Sequence, residues 1–360
     1  DERERAFERA HITLTPATDG FDSFNLHATL LGGPLRGGKI SGWLDSSQPN
    51  SPPSFNIEAD LPWFEITPEL LALLPARYLD LARQLNPKGA ATGRVVLTLR
   101  QPDSQFDWSA QAEVAGVQMI SSVWPVDARS LSATVSASSR RLQVPYVSAR
   151  AYDGALEGAG VIQFPDDPAK APFFDFWIAL EKASLQDMTR TLGDSARGLS
   201  GQTRVFLSAT GDFGGPDSII AKGEVSITQG TLADLPVLAG FFNIISLQLP
   251  GRTVFDTAEV RFTVLGGVVT FEHILLSSQA VEVTGRGTIR LDGETDLILA
   301  AVSPKTSGGI PLISDAFNVV IRGVQGAILP PVRVTGKIWA PKWKVMKLEP
   351  IRRPLRSVLD

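Results

Sequence analysis

The sequence predicts a mainly β fold, an elongated and mostly antiparallel sheet with a few short helices. Two observations lead to this prediction. Apolar and polar residues alternate along many segments, and glycine, proline, aspartate and asparagine separate most of them. Such alternation is typical of strands with one apolar and one polar face. It is clearest in residues 106–114, 131–137 and 258–264.

Weaker alternation predicts further strands, for a total of roughly sixteen. These segments are 24–31, 55–61, 94–99, 145–151, 158–164, 173–180, 204–209, 219–227, 268–275, 279–291, 295–302 and 332–339.

Helices are predicted in only four places. Pro68 stands at a first-turn position, and Ser184 and Asp234 are suitable N-caps. The first and third helices either cover part of the apolar face of the sheet or fill its core. The predicted helices are 68–85, 184–199, 234–247 and a short one near 311–319.

An internal repeat is the main sign of domain organisation. Leu26-His27-Ala28 and the following Gly33-Pro34-Leu35-Arg36-Gly37 resemble Val147-Ser148-Ala149 and Gly154-Ala155-Leu156-Glu157-Gly158. A strand, a helix and another strand follow in each copy. We therefore predict two repeats, 1–130 and 131–360, joined in a continuous sheet without a linker.

Composition excludes several function classes. The chain has 360 residues, a net charge of −4 and no cysteine, and its mean hydropathy is +0.06. Disulfides, thiolate metal sites and cysteine catalysis are therefore excluded. The charge balance predicts no general attraction to nucleic acid.

Candidate catalytic residues are few. His11, His27 and His273 are isolated in sequence, and no zinc-protease helix, phosphate-binding glycine loop or nucleophile elbow occurs. Asp166-Asp167 stands between Pro165 and Pro168, a context typical of turns. We predict that the chain is not an enzyme, has no cofactor and binds no metal.

The apolar face of the predicted sheet is too large to remain exposed to water. Sixteen strands spaced by about 4.8 Å would extend for roughly 75–80 Å. Such a sheet must curl on itself, pack against another sheet with a dry core, or hold an apolar ligand. The residues alone leave these alternatives open.

Four passages, taken in order, resemble the C-terminal region of the AsmA-like family of bacterial envelope proteins. They are 144–158, the strand 173–180 with the helix near Leu185, 223–232 leading into the helix 234–247, and 262–269 followed by 283–292. The resemblance implies a curled sheet that forms a U-shaped apolar groove. It also implies phospholipid transfer between the inner and outer membranes.

The resemblance further implies a periplasmic location and a full-length protein anchored in the inner membrane. No run of about 18 apolar residues occurs, and the chain begins with Asp1-Glu2-Arg3 rather than methionine. We therefore expect a fragment or a processed form. The partners expected are a phospholipid or another acyl lipid, and a membrane surface or membrane protein.

Mid-strand residues on the apolar faces are the candidates for the groove wall. They are Phe106, Trp108, Ala110, Val114, Leu131, Ala133, Val135, Val147, Phe174, Phe176, Ile178, Val205, Leu207, Val260, Phe262 and Val264.

The end of the chain is basic and rich in tryptophan. It is either a membrane or partner contact, since basic residues and tryptophan favour anionic interfaces, or an edge strand kept soluble by lysine. The candidate contact residues are Trp339, Lys342, Trp343, Lys344, Lys347, Arg352 and Arg353.

The sequence is compatible with three functions. The first is a lipid-conducting groove, and the second is a structural or adhesive envelope β-sandwich with a dry core and no ligand. The third is an enzyme that acts on polysaccharide. It would need paired carboxylates beside aromatic platforms, and the sequence shows none.

Overall fold

The structure is a computed structural model of the chain, and it is mainly β with few short helices, as the alternation predicts. It describes residues 10–16, 23–30, 37–45, 54–72, 74–100, 105–120, 126–167, 169–190, 199–231, 241, 254–278, 281–302 and 330–346.

The chain divides into two compact units. Unit one comprises residues 1–191 and 204–221, and unit two comprises 192–203 and 222–360. The predicted boundary at residue 130 came from the sequence repeat and stays a prediction. The order hairpin, strand, helix, strand does occur twice among the described elements, within residues 23–100 and within residues 141–212.

Unit one contains ten consecutive strands that pair antiparallel, each with the next. The pairings of the described residues do not join the first strand to the last, so this sheet is open. Its strands are β1 Ala10–Pro16, β2 Ser23–Leu30, β3 Lys39–Asp45, β4 Ser54–Ile66, β5 Pro87–Arg100, β6 Gln105–Ile120, β7 Asp127–Ser138, β8 Arg141–Ala151, β9 Gly154–Gln163 and β10 Phe173–Ser184.

Two further strands, β11 (Ser200–Asp212) and β12 (Ile220–Thr231), contribute residues to both units. Unit two continues as an antiparallel succession in which each strand pairs with the next. Its strands are β13 Val254–Leu265, β14 Val268–Ser277, β15 Glu282–Arg290, β16 Glu294–Val302, β17 Val332–Lys337 and β18 Ala340–Val345.

Three short α-helices are described: α1 (Pro68–Leu71), α2 (Ala76–Leu85) and α3 (Leu185–Thr189), together with a 3-10 turn, Pro216–Ser218. The predicted helix 68–85 is thus two helices, because Pro75 cannot continue α1 and instead precedes α2. The predicted helix 184–199 begins as expected, with Ser184 as its N-cap. Except for Phe241, the predicted helices at 234–247 and 311–319 lie outside the described residues.

The hairpin between β8 and β9 requires special backbone geometry. Tyr152 and Asp153 have φ values of 52° and 62°, as in the two-residue turn that matches strand twist. A Cβ atom on the next residue, Gly154, would lie 2.5 Å from the carbonyl oxygen of Glu181 and 2.8 Å from the nitrogen of Ala183. Only glycine therefore lets β10 approach this closely.

We expect Gly154→Ala to lower the free energy of unfolding by about 1–3 kcal/mol, because the added methyl group meets backbone rather than a movable side chain. Gly215→Ala is the matched control, since a Cβ atom there has nothing within 4 Å. Urea denaturation of both variants measures the difference. Equal midpoints would show that β9 and β10 are not held at this distance.

Candidate functional site

One face of the unit-one sheet is continuously apolar, and we call it the apolar face. Directly paired residues of antiparallel strands place their side chains on the same face. One row of paired residues crosses nine strands, from β2 to β10, and every member is apolar. The row is Ala28, Ile40, Ala59, Val95, Ala110, Ala137, Leu142, Ile162 and Phe174.

Neighbouring rows of the apolar face contain most of the predicted groove residues. Trp108 pairs with Leu97, and Val135 pairs with Ala112. Another row joins Val114, Ala133, Val147, Gly158 and Ile178 across five strands. Eight strand spacings make the face about 38 Å wide.

The apolar face is buried at one end of its strands and part-exposed over the rest. At the buried end lie Phe64, Ala91, Val117, Ala128, Ala149, Ala151, Leu180 and Ala183. Leu70 of α1 packs on Phe64 and Ala91, and Met188 of α3 packs on the cluster of Ala151, Leu180 and Ala183. The part-exposed remainder includes Trp108, Ala110, Val135, Phe174 and Phe176.

The helical segment between β4 and β5 lies over the apolar face. Leu70 and Val114 of β6 pack on the same cluster, Phe64 and Ala91, whereas the ring of Tyr78 contacts that of Trp108, with centroids 5.4 Å apart. Val114 and Trp108 are six residues apart on β6, which corresponds to about 20 Å. The segment therefore runs along the strands and covers part of the apolar face there.

Tyr78 holds the start of α2 in place. Its hydroxyl donates to the carbonyl oxygen of Ser138 at 2.5 Å, and its ring lies 5.0 Å from that of Phe164. Burial raises the pKa of the phenol, which keeps the donor protonated. Arg77 adds a hydrogen bond of 2.9 Å to the carbonyl oxygen of Ser139.

Unit two has a buried apolar face. Val283 pairs with Ala301, and Leu299 pairs with Val332. All four side chains are at most 2% exposed. This part of the unit-two face is thus closed, whereas Val260, Phe262 and Ile274 on the same face are part-buried.

The predicted groove residues are therefore distributed over both units. Those of β6 to β10 share the apolar face of unit one, where Leu131 pairs with Val117. Phe106 pairs with Leu99 along the backbone. Val205 and Leu207 are part-buried on β11, and Val205 packs on the cluster beneath α3. Val260, Phe262 and Val264 lie on β13, where Val264 is buried.

The basic end forms the hairpin of β17 and β18. Trp339 is 67% exposed at its turn, and Lys342 and Lys344 are exposed on β18. Trp343 pairs with the buried Val334 and so faces the opposite side from the two lysines. Lys347, Arg352 and Arg353 lie outside the described residues.

Sequence reasoning missed two features of unit one. It did not find Tyr78 as an anchor, because the tyrosine is one residue of an unremarkable amphipathic helix. It also missed the exposed aromatic residues Trp63 and Tyr146. Each of these directly follows a proline, which is the only sequence signal they share.

Among the described residues, no group of three or more His, Cys, Asp or Glu side chains could hold a metal ion. No helix in that part of the chain is long and apolar enough to cross a membrane. No family model, curated protein or solved structure matches the chain. The resemblance to the AsmA-like family thus stays a prediction.

Proposed function

We propose that unit one binds the acyl chains of lipids on its apolar face, as the conducting surface of a non-catalytic lipid-transfer protein. The observation that carries the proposal is the apolar row across nine strands. Away from its buried end, most of this face is only part-buried. An apolar surface this large is characteristic of a binding site rather than of a free surface.

The dimensions and chemistry of the face suit acyl chains. Each methylene group that leaves water contributes about 0.8 kcal/mol. One leaflet occupies about half of the roughly 30 Å hydrocarbon core of a bilayer. A face about 38 Å wide therefore has room for more than one chain along the row, which is a requirement for conduction rather than simple storage.

The cellular role rests on the family resemblance. We propose that the chain works in the bacterial periplasm or cell envelope and passes phospholipid between the inner and outer membranes. A segment outside this sequence would anchor the full-length protein. The exposed Trp339, Lys342 and Lys344 are proposed contacts for a membrane surface or a membrane protein.

One observation favours the alternative, a structural β protein with a dry core. The apolar face of unit two is buried at Val283, Leu299, Ala301 and Val332. A closed face has no room for a ligand. We therefore assign lipid binding to unit one and a structural role to the closed part of unit two, β15 to β17.

Adjacent residues on β7 allow a direct test of the proposed face. Val135 lies on the apolar face, and Thr134 pairs with Glu113 on the opposite face. A photocrosslinking amino acid placed at 135, in protein purified from cells, is expected to form a covalent adduct with phospholipid. The same amino acid at 134 is the matched control and is expected to form none. Mass spectrometry detects the adduct.

Organic extraction of the unmodified protein accompanies this test and is expected to recover acyl lipid. The proposal fails if extraction recovers no lipid from freshly purified protein. Equal adducts at 134 and 135 would also contradict it, because lipid would then contact both faces without preference.

A further inference from the structure

The polar face of the unit-one sheet, opposite the apolar face, contains a shallow cavity of about 680 Å³. Its lining includes a row of paired polar residues, Thr92, Glu113 and Thr134. Two aromatic side chains also line it, Trp63 at 63% exposure and Tyr146 at 49%. Exposed aromatic residues that share one cavity, rather than standing singly, are typical of binding sites.

Each of the two aromatic residues directly follows a proline that lies within a strand. Pro62 and Trp63 fall within the register shift between Leu61 and Phe64. Pro145 and Tyr146 fall within the shift between Val144 and Val147. Proline in a sheet is confined to edges, strand starts and such irregularities, and bulges can re-aim side chains beside functional sites. A proline within a register shift thus precedes both Trp63 on β4 and Tyr146 on β8, and the two side chains line one cavity.

A second cavity, of about 440 Å³, lies farther along the same strands. It is lined by the next row of paired residues, Arg94, Gln111, Ser136 and Gln143. From Ser132 in the first cavity to Ser138 in the second is six residues of β7, or about 20 Å. The two cavities form one track, lined by hydroxyl and amide side chains together with apolar residues such as Ala91, Val114 and Val96.

Charged residues of both signs line the track. Glu113 lines the first cavity, and Arg94 and Arg141 line the second. Arg94 is already paired with Glu58 and, at 3.9 Å, with Asp60. Partial desolvation and the adjacent Glu157 carboxylate raise the pKa of Tyr146, so its hydroxyl remains a donor. The track therefore suits a neutral ligand rich in hydroxyl groups.

We propose that this track binds a neutral polysaccharide chain. Trp63 and Tyr146 stack against the apolar C–H faces of sugar rings, and the serine, threonine and glutamine side chains exchange hydrogen bonds with sugar hydroxyls. The shallow form fits an extended polymer rather than an enclosed small molecule.

Glu113 and Glu157 do not form a catalytic pair. Glu113 lies on β6 and Glu157 on β9, three strand spacings or about 14 Å apart. The carboxyl pairs of most glycosidases are separated by about 5–9.5 Å. These two carboxylates are therefore too distant to act together on one glycosidic bond.

Isothermal titration of the full chain with cellohexaose and with the hexamer of N-acetylglucosamine tests the proposal. We expect saturable binding of at least one of them. Trp63→Ala and Tyr146→Ala are each expected to weaken it by about tenfold or more, as truncation of an aromatic anchor does. Both side chains are exposed, so circular dichroism should show an unchanged fold.

Trp43→Ala is the matched control. Trp43 is 43% exposed and belongs to the same polar face, where it pairs with Asn25 and Asn56, but it does not line the track. Its loss should change affinity less than twofold. Absence of binding to both hexasaccharides would overturn the proposal. So would equal losses in the Trp43 and Trp63 variants, or preferential binding of sulfated heparin oligosaccharides. Lipid extraction from Trp63→Ala should remain normal, which separates this site from the apolar face.

Discussion

Val135→Asp is expected to abolish lipid retention while the chain stays folded. Val135 is a part-buried residue of the apolar face, paired with Ala112 in the middle of β7. A carboxylate there stays in contact with water, so we expect the free energy of unfolding to fall by about 1 kcal/mol or less. Acyl chains, in contrast, cannot pass a charge without desolvating it, which costs several kcal/mol.

Val283→Asp is the matched control for this experiment. Val283 also lies mid-sheet and pairs with alanine, Ala301, but its side chain is fully buried. An unpaired buried carboxylate should destabilise unit two by several kcal/mol. The same substitution therefore has opposite consequences in the two units, loss of ligand in one and loss of fold in the other.

Thermal melting and lipid extraction of both variants measure these effects. If Val135→Asp unfolds as readily as Val283→Asp, the apolar face of unit one is a dry core and the lipid proposal fails. If Val135→Asp folds and retains lipid normally, acyl chains do not cross the face at Val135.

Tyr78→Ala is expected to detach α2 from the sheet and to speed lipid uptake several-fold. The substitution removes the ring contacts with Trp108 and Phe164 and the hydrogen bond to Ser138. Loss of a buried aromatic ring should cost about 3 kcal/mol of stability. Since α2 covers part of the apolar face, its release should leave that part open to lipid.

Tyr78→Phe separates the two contributions. It keeps the ring and loses only the hydrogen bond, so we expect a cost of about 1 kcal/mol and an uptake rate close to that of the parent chain. Uptake of a fluorescent phospholipid from vesicles gives the rate, and urea denaturation gives the stability. An unchanged rate in Tyr78→Ala would show that α2 does not limit access to the face.

The alternation of apolar and polar residues predicted some strands of unit one and missed others. Alternation in 106–114 and 131–137 predicted β6 and β7, and it predicted which of their residues would share a face. It missed β1 and β3, where the alternation is short and Gly42 interrupts it. It also ended β4 at residue 61, because Pro62 looks like a strand terminator, whereas a register shift accommodates that proline and the strand continues to Ile66.

The sequence by itself determined the class of fold and the polarity of each strand face, because alternation with period two is a local property of the backbone. Only the tertiary structure decided which apolar surface is closed. Val135 and Val283 have the same pattern of neighbours, yet one is part-exposed and the other is fully buried. Burial depends on what packs over a residue from elsewhere in the chain. The position of Trp63 and Tyr146 beside one cavity also depends on distant parts of the chain. Register and bulges are set by pairing between strands.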